Sequence, residues 1–140
     1  MVLQLYHLHP AAVHFPIALL ALGAAAAALR LRKASPEWLA QAESWLLWLG
    51  TLSAWATLAL GLLAAKTAPH AALAWEVLAD HETLAWWTCG AFSALSGLRF
   101  FEKRRWLQLS LWAAGLALLV ATAMHGAELV YGYGMGVGAR

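Results

Sequence analysis

Six histidines, His7, His9, His14, His70, His81 and His125, are the residues of this 140-residue chain best suited to chemistry. Neutral imidazole is the commonest metal ligand in proteins and an axial ligand of haem iron. Glu128 follows His125 by three residues, so on a helix the two side chains share one face. An imidazole and a carboxylate at that spacing are the ligand pairs of metal-binding helix bundles. Cysteine adds little, because Cys89 stands alone. An intrachain disulfide, a C-x-x-C-H haem attachment and a zinc site on paired thiolates are all excluded.

The elements that must carry these histidines are apolar. Hydrophobic residues make up 63% of the chain and charged residues only 11%, against roughly 45–50% and about 25% in a soluble domain. Too little polar surface exists to coat a water-soluble globule of this size. Four stretches, 10–29, 44–65, 83–98 and 106–127, lack charge. About 20 apolar residues cross the roughly 30 Å hydrocarbon core as a helix, and backbone groups in lipid must bond internally. We therefore expect a single all-α, integral membrane four-helix bundle, up-down-up-down, with helices at about 10–30, 44–65, 81–101 and 106–131. Short connections make neighbours antiparallel. Pro36 and Ser35 mark a helix start that includes Trp38, and Pro69 breaks the chain after the second span.

Small residues recur at four-residue spacing in Gly50/Ala54, Gly90/Ala94 and Ser93/Gly97, which allows close helix approach. No internal repeat stands out. Glycine at every second position from Gly132 to Gly138 should end the fourth helix, and the plain reading of this tail is a frayed terminus. The N-terminal run has no Lys or Arg before Arg30, unlike a signal peptide, and reads as a retained helix.

Lys and Arg counts set the orientation. Arg30, Arg32, Lys33, Arg99, Lys103, Arg104 and Arg105 fall in the first and third connections, and only Lys66 and Arg140 fall elsewhere. The positive-inside rule puts both termini and the second connection outside. This segregated charge, at a net +2, argues for membrane topology and against a nucleic-acid partner. Threaded on that topology, all six histidines lie toward the outer face, with His14 and His125 at one depth and His9 and His81 at another.

Each histidine also has a plainer role. His7 and His70 suit a solvated surface, His9 beside Pro10 a first-turn cap, and His14 a hydrogen bond to a neighbouring helix. Asp80 can cap a helix at His81, and His125 can bond Glu128 or Tyr131. Trp45, Trp48 and Trp55 share one helical face, which packing explains without a cofactor. Trp38, Trp75 and Trp106 read as interfacial anchors.

The string His9-Pro10-Ala11-Ala12-Val13-His14-Phe15-Pro16-Ile17-Ala18-Leu19 resembles the opening signature of the DUF2231 family of predicted bacterial membrane proteins. The resemblance continues with His81 opening the third helix. It ends with Gly126-Ala127-Glu128-Leu129-Val130-Tyr131 and Gly134-Met135-Gly136-Val137, and so spans essentially the whole chain. Family members often have paired glycines where this chain has Gly126-Ala127. The resemblance implies a four-helix protein of the bacterial inner membrane. Its association with c-type cytochromes and other redox proteins implies electron transfer.

The leading functional expectation is a b-type cytochrome-like protein with haem b held by two imidazoles. His14 with His125 or His81 is the first choice of ligands, and His9 is available for a second haem. Glu128 or Tyr131 would orient a ligand or a propionate. Such a subunit, with no catalysis of its own, would pass electrons between quinol in the bilayer and a periplasmic redox protein such as a c-type cytochrome. The competing expectation is a bare copper, iron or zinc site made by His9, His14, His81, His125 and Glu128. A third is a cofactor-free structural or assembly subunit. A homo-oligomer is compatible with all three.

Overall fold

With no water in hydrocarbon to satisfy the backbone, the apolar stretches close their hydrogen bonds as helices. The computed structural model describes residues 5–32, 34–69, 71–101 and 104–136, and its regular elements are helical, with no strand among the described residues. His70, Lys33, Lys103, Val137, Gly138 and Arg140 lie outside them. After a short turn at Leu5–His7 come α1 (Leu8–Ala12), α2 (His14–Leu29), α3 (Glu37–Thr67), α4 (Trp75–Phe101) and α5 (Arg105–Tyr131), with a second short turn at Ala72–Ala74 before α4.

Helices α1 and α2 run on as one span, Leu8–Leu29, interrupted only at Val13. Pro16 causes the interruption. Its ring has no N–H for the carbonyl of Ala12 and crowds that carbonyl. Thr57 on α3 supplies the missing donor, its Oγ1 bonding Ala12 O at 3.4 Å. The proline thus weakens the helix locally and creates an acceptor that docks it on α3.

Helix α3 starts directly after Pro36 and ends before Pro69, as the two prolines predict. It starts well ahead of residue 44, because Glu37 to Glu43 continue the helix into the polar zone beyond the charge-free run. Helix α4 likewise starts at Trp75 rather than His81. The span Leu8–Leu29, α3 and α5 are long and apolar enough to cross a membrane by length and composition, whereas α4, which opens with Glu76, Asp80 and Glu82, does not qualify on that measure. It is nonetheless as long as α5 and packs against both α5 and α3.

Helix α2 packs on α3 and α4 on α5, and these two hairpins join through α3–α4 and α2–α5 contacts. The result is the expected square of antiparallel neighbours. Leu20, Ala27, Leu47, Phe92, Leu95, Trp112 and Leu119 fill its centre, and Ala54, Leu58 and Cys89 form a second buried group. Large apolar side chains such as Phe15, Leu22, Leu52, Val120 and Met124 face outward, as in a protein whose solvent is lipid.

The contacts within the two hairpins repeat. Gly50 on α3 receives Leu20 and Gly115 on α5 receives Phe92. Thr57 and Gly61 follow Gly50 at the same intervals at which Thr122 and Gly126 follow Gly115, and Leu20 follows His9 as Phe92 follows His81. An internal repeat is therefore present, contrary to the expectation from sequence. Gly50/Gly115, Thr57/Thr122, Gly61/Gly126 and His9/His81 are identical pairs and Leu20/Phe92 is not, and most neighbouring positions differ, so the contacts make the repeat visible.

Candidate functional site

At one end of the bundle the repeat delivers two histidines to each other. His9 leaves the first span one turn before the Val13 interruption, and its Nδ1 lies 3.0 Å from the carbonyl oxygen of Thr57. The ring lies on Gly61, where a Cβ would come within 2.9 Å of its Cε1. His81 repeats this on the other hairpin. Its Nδ1 lies 2.9 Å from Thr122 O, and its Cε1 lies 3.1 Å from where a Gly126 Cβ would stand. A glycine on each partner helix is what admits the rings. The two imidazoles meet with centroids 6.2 Å apart and planes at 82°.

A carbonyl only accepts, so Nδ1 donates in both bonds. In a neutral imidazole that choice leaves the lone pair on Nε2. Fixing one ring nitrogen on a backbone carbonyl is the usual support of a metal-bound histidine, because it sets both tautomer and ring orientation. Both rings line a cavity of about 430 Å³ whose walls are mostly apolar, among them Ile17, Leu58, Leu62, Ala85 and Leu119. That size falls in the range of small-molecule and cofactor sites.

The cavity's outer rim comes from the C-terminal turn. Helix α5 ends at Tyr131, as the alternating glycines predict, but the chain does not fray there. Gly134 N bonds Val130 O at 3.0 Å, and Met135 N bonds Leu129 O at 2.9 Å. Gly134 and Gly136 have φ of +67° and +71°, a conformation glycine adopts without steric cost. The turn brings Met135 and Gly136 to the cavity beside the buried Tyr6.

The other anticipated ligands are placed differently. His14 is exposed, though it borders the cavity, and its Nδ1 bonds Ala11 O in its own helical turn at 3.3 Å. The Nδ1 of His125 bonds Ala121 O in its own helix at 2.9 Å, and neither it nor Glu128 lines the cavity. Glu128 is exposed, while Tyr131 borders the cavity from an exposed position. The pair put first on sequence, His14 with His125, is not the pair brought together. Among the described residues no three or more His, Cys, Asp or Glu side chains are grouped to hold a metal ion. His7 stacks edge-on against Tyr6. The tryptophans stay away from the cavity: Trp45 packs on Trp48, Trp48 on Phe100, and Trp55 on Trp86.

The opposite end holds a constellation that no sequence motif announced. Glu43 is fully buried and receives Arg30, Arg99 and Arg105. Arg99 Nη1 donates to Oε1 at 2.9 Å, Arg105 Nη1 at 3.0 Å, and the indole Nε1 of Trp112 at 3.2 Å. Arg99 also donates to Ala40 O at 3.0 Å, and Arg105 to Ala27 O. These two backbone contacts are the repeat again, since Ala27 matches Arg99 and Ala40 matches Arg105 at the same intervals as the glycine and histidine pairs. Salt bridges to one buried carboxylate thus bind three helical elements and a loop end.

A family model for predicted membrane proteins, DUF2231, matches residues 6–139. The chain belongs to the DUF2231 family. The match takes in both constellations and all six histidines. Comparison of this DUF2231 chain with curated proteins and with solved structures returned no match.

Proposed function

We propose that this DUF2231 protein is a membrane electron-transfer subunit that holds haem b between His9 and His81. The observation that carries the reading is the fixed pair of imidazoles. His9 and His81 would hold the group, their rings lining one cavity with centroids 6.2 Å apart. Each Nδ1 is committed to a backbone carbonyl, so each ring would offer its Nε2 to the iron. Haem iron bound there supplies one-electron chemistry by cycling between two oxidation states. The apolar wall residues would exclude water and raise the cost of net charge in the site, and Tyr131 at the rim would meet a propionate.

Two neutral imidazoles alone are a poor cage for a free divalent ion, which takes four or more ligands. The five-ligand copper, iron or zinc site anticipated from sequence has less support for that reason. By the positive-inside rule the arginine end faces the cytoplasm of a bacterial cell, which puts the histidine end and both termini outside the inner membrane. Quinol in the bilayer and a periplasmic c-type cytochrome are then the fitting electron donor and acceptor.

A reduced-minus-oxidised spectrum of the purified protein tests this. We expect sharp visible bands that are lost in His9→Ala and His81→Ala and kept in His7→Ala and His125→Ala. Stoichiometric copper or zinc without such bands would favour the bare metal site. One observation favours a cofactor-free structural role, namely that both Nδ1 bonds tie helices together within a hairpin. A colourless, metal-free, folded preparation would decide for it.

A further inference from the structure

Three guanidiniums around one carboxylate leave an excess of two positive charges at the arginine end. Those charges are not in open water, because the side chains of Arg30, Arg99 and Arg105 are only 27%, 12% and 26% exposed. Together with Gln41, Ser44 and Trp48 they line an open recess at the end of the bundle. Arg99 is engaged at all three nitrogens, by Ser44, Glu43 and Ala40, and Arg105 at both Nη groups, by Glu43, Gln108 and Ala27. Arg30 gives only Nη1, to Glu43, so its remaining N–H groups are available. Trp48 lines the same recess, and its buried indole Nε1–H has no hydrogen-bond partner among the described residues. Buried donors in native proteins are nearly always paired, and an acceptor from outside the chain would pair this one. The recess thus combines surplus positive charge with unsatisfied donors, and its own carboxylate is already saturated.

We propose that this recess binds a phosphate group, with Arg30 and Trp48 donating to its oxygens and its charge offsetting the excess on the three arginines. Guanidinium suits a phosphate through its paired donors. The exposed indoles of Trp38 and Trp106 sit at the starts of α3 and α5, at the same end, where tryptophan marks headgroup depth. An anionic lipid reaches the recess from the bilayer, and a soluble phosphate ester reaches it from water. Basic recesses between spanning helices are known to take lipid headgroups.

The test uses the whole protein in nanodiscs of phosphatidylcholine alone, of phosphatidylcholine with one-fifth phosphatidylglycerol, and of phosphatidylcholine with glycerol phosphate in the buffer. Thermal unfolding and native mass spectrometry of retained lipid are the readouts. We expect phosphatidylglycerol to raise the unfolding midpoint and to remain bound. In Arg30→Gln its affinity should fall roughly tenfold, the loss of one charge-assisted hydrogen bond. Arg32→Gln, at an exposed neighbour outside the recess, should leave the affinity unchanged. Trp48→Phe removes the indole donor without altering charge and should weaken binding even if Arg30→Gln fails to fold. Stabilisation by glycerol phosphate equal to that by the lipid would identify a soluble phosphate ester as the ligand of the same recess. Equal responses of Arg30→Gln, Trp48→Phe and Arg32→Gln to both ligands would overturn the proposal.

Discussion

Glu43 has no exposed surface and holds three cations, so its removal leaves three half-buried guanidiniums facing one another. Breaking a buried ion pair by deleting one partner costs about 3–5 kcal/mol. Glu43→Leu should lower the unfolding free energy by that order, read from detergent-titrated unfolding. Glu37→Ala, at an exposed position nearly two turns earlier on the same helix, should change it by less than about 0.5 kcal/mol. Equal effects would mean that the cluster carries no stability. The sequence does not announce this residue. Glu43 borders a charge-free run and reads as its polar flank, while Arg30, Arg99 and Arg105 read as topology signals in two separate connections. Their convergence depends on helix rotation, which packing sets. The histidines were legible to the same depth and no further. His9, His14 and His81 all border the cavity, as their shared end of the bundle suggests. The choice of His9 with His81 over His14 with His125 required knowing which way each ring turns.

Helix positions were the most legible feature, because charge-free length is a direct consequence of bilayer thickness. Helix ends were less so. Both α3 and α4 extend past their apolar runs into polar residues, since a helix need not stop where the hydrocarbon does. Small-residue spacing was informative only in part. A Cβ on Gly50 would meet Leu20 at 2.6 Å, but Gly90 and Gly97 on α4 face open space. Hence Gly50/Ala54 marks a helix contact, whereas Gly90 and Gly97 do not owe their size to one and Ser93 meets α3 through its hydroxyl, which accepts from Trp55 Nε1 at 2.9 Å. Gly97→Ala should be neutral or stabilise by up to about 1 kcal/mol through helix propensity. Gly50→Ala should destabilise by about 1–3 kcal/mol through overpacking. Unfolding of the two variants under one condition checks the sign, and destabilisation by Gly97→Ala would show that something covers that face.

At the scale of the molecule, each hairpin packs more extensively within itself than against the other. The joint between hairpins combines the shared core with Glu43 to Arg99 and Arg105 at one end and the His9–His81 meeting at the other. Co-expressed fragments 1–70 and 71–140 should therefore assemble and co-purify, and Glu43→Leu in the first fragment should reduce recovery of the second severalfold. Failure of the wild-type fragments to associate would show that the covalent link is needed. The matching contacts of the two hairpins follow the pattern of a two-fold symmetric pair. In a symmetric dimer of one hairpin any residue near the axis occurs twice, and the contact of residue i with j is repeated by j with i. Two buried carboxylates close to one axis would repel each other, so an exactly symmetric pair of hairpins would be destabilised by a buried acid there. Joining the copies in one chain lifts that restriction: Glu43 keeps its charge while its counterpart, Gln108, is a neutral amide, and Arg99 stands where the other half has Ala27. The polarity of this end is thus something only the unequal, single-chain form of the bundle can hold.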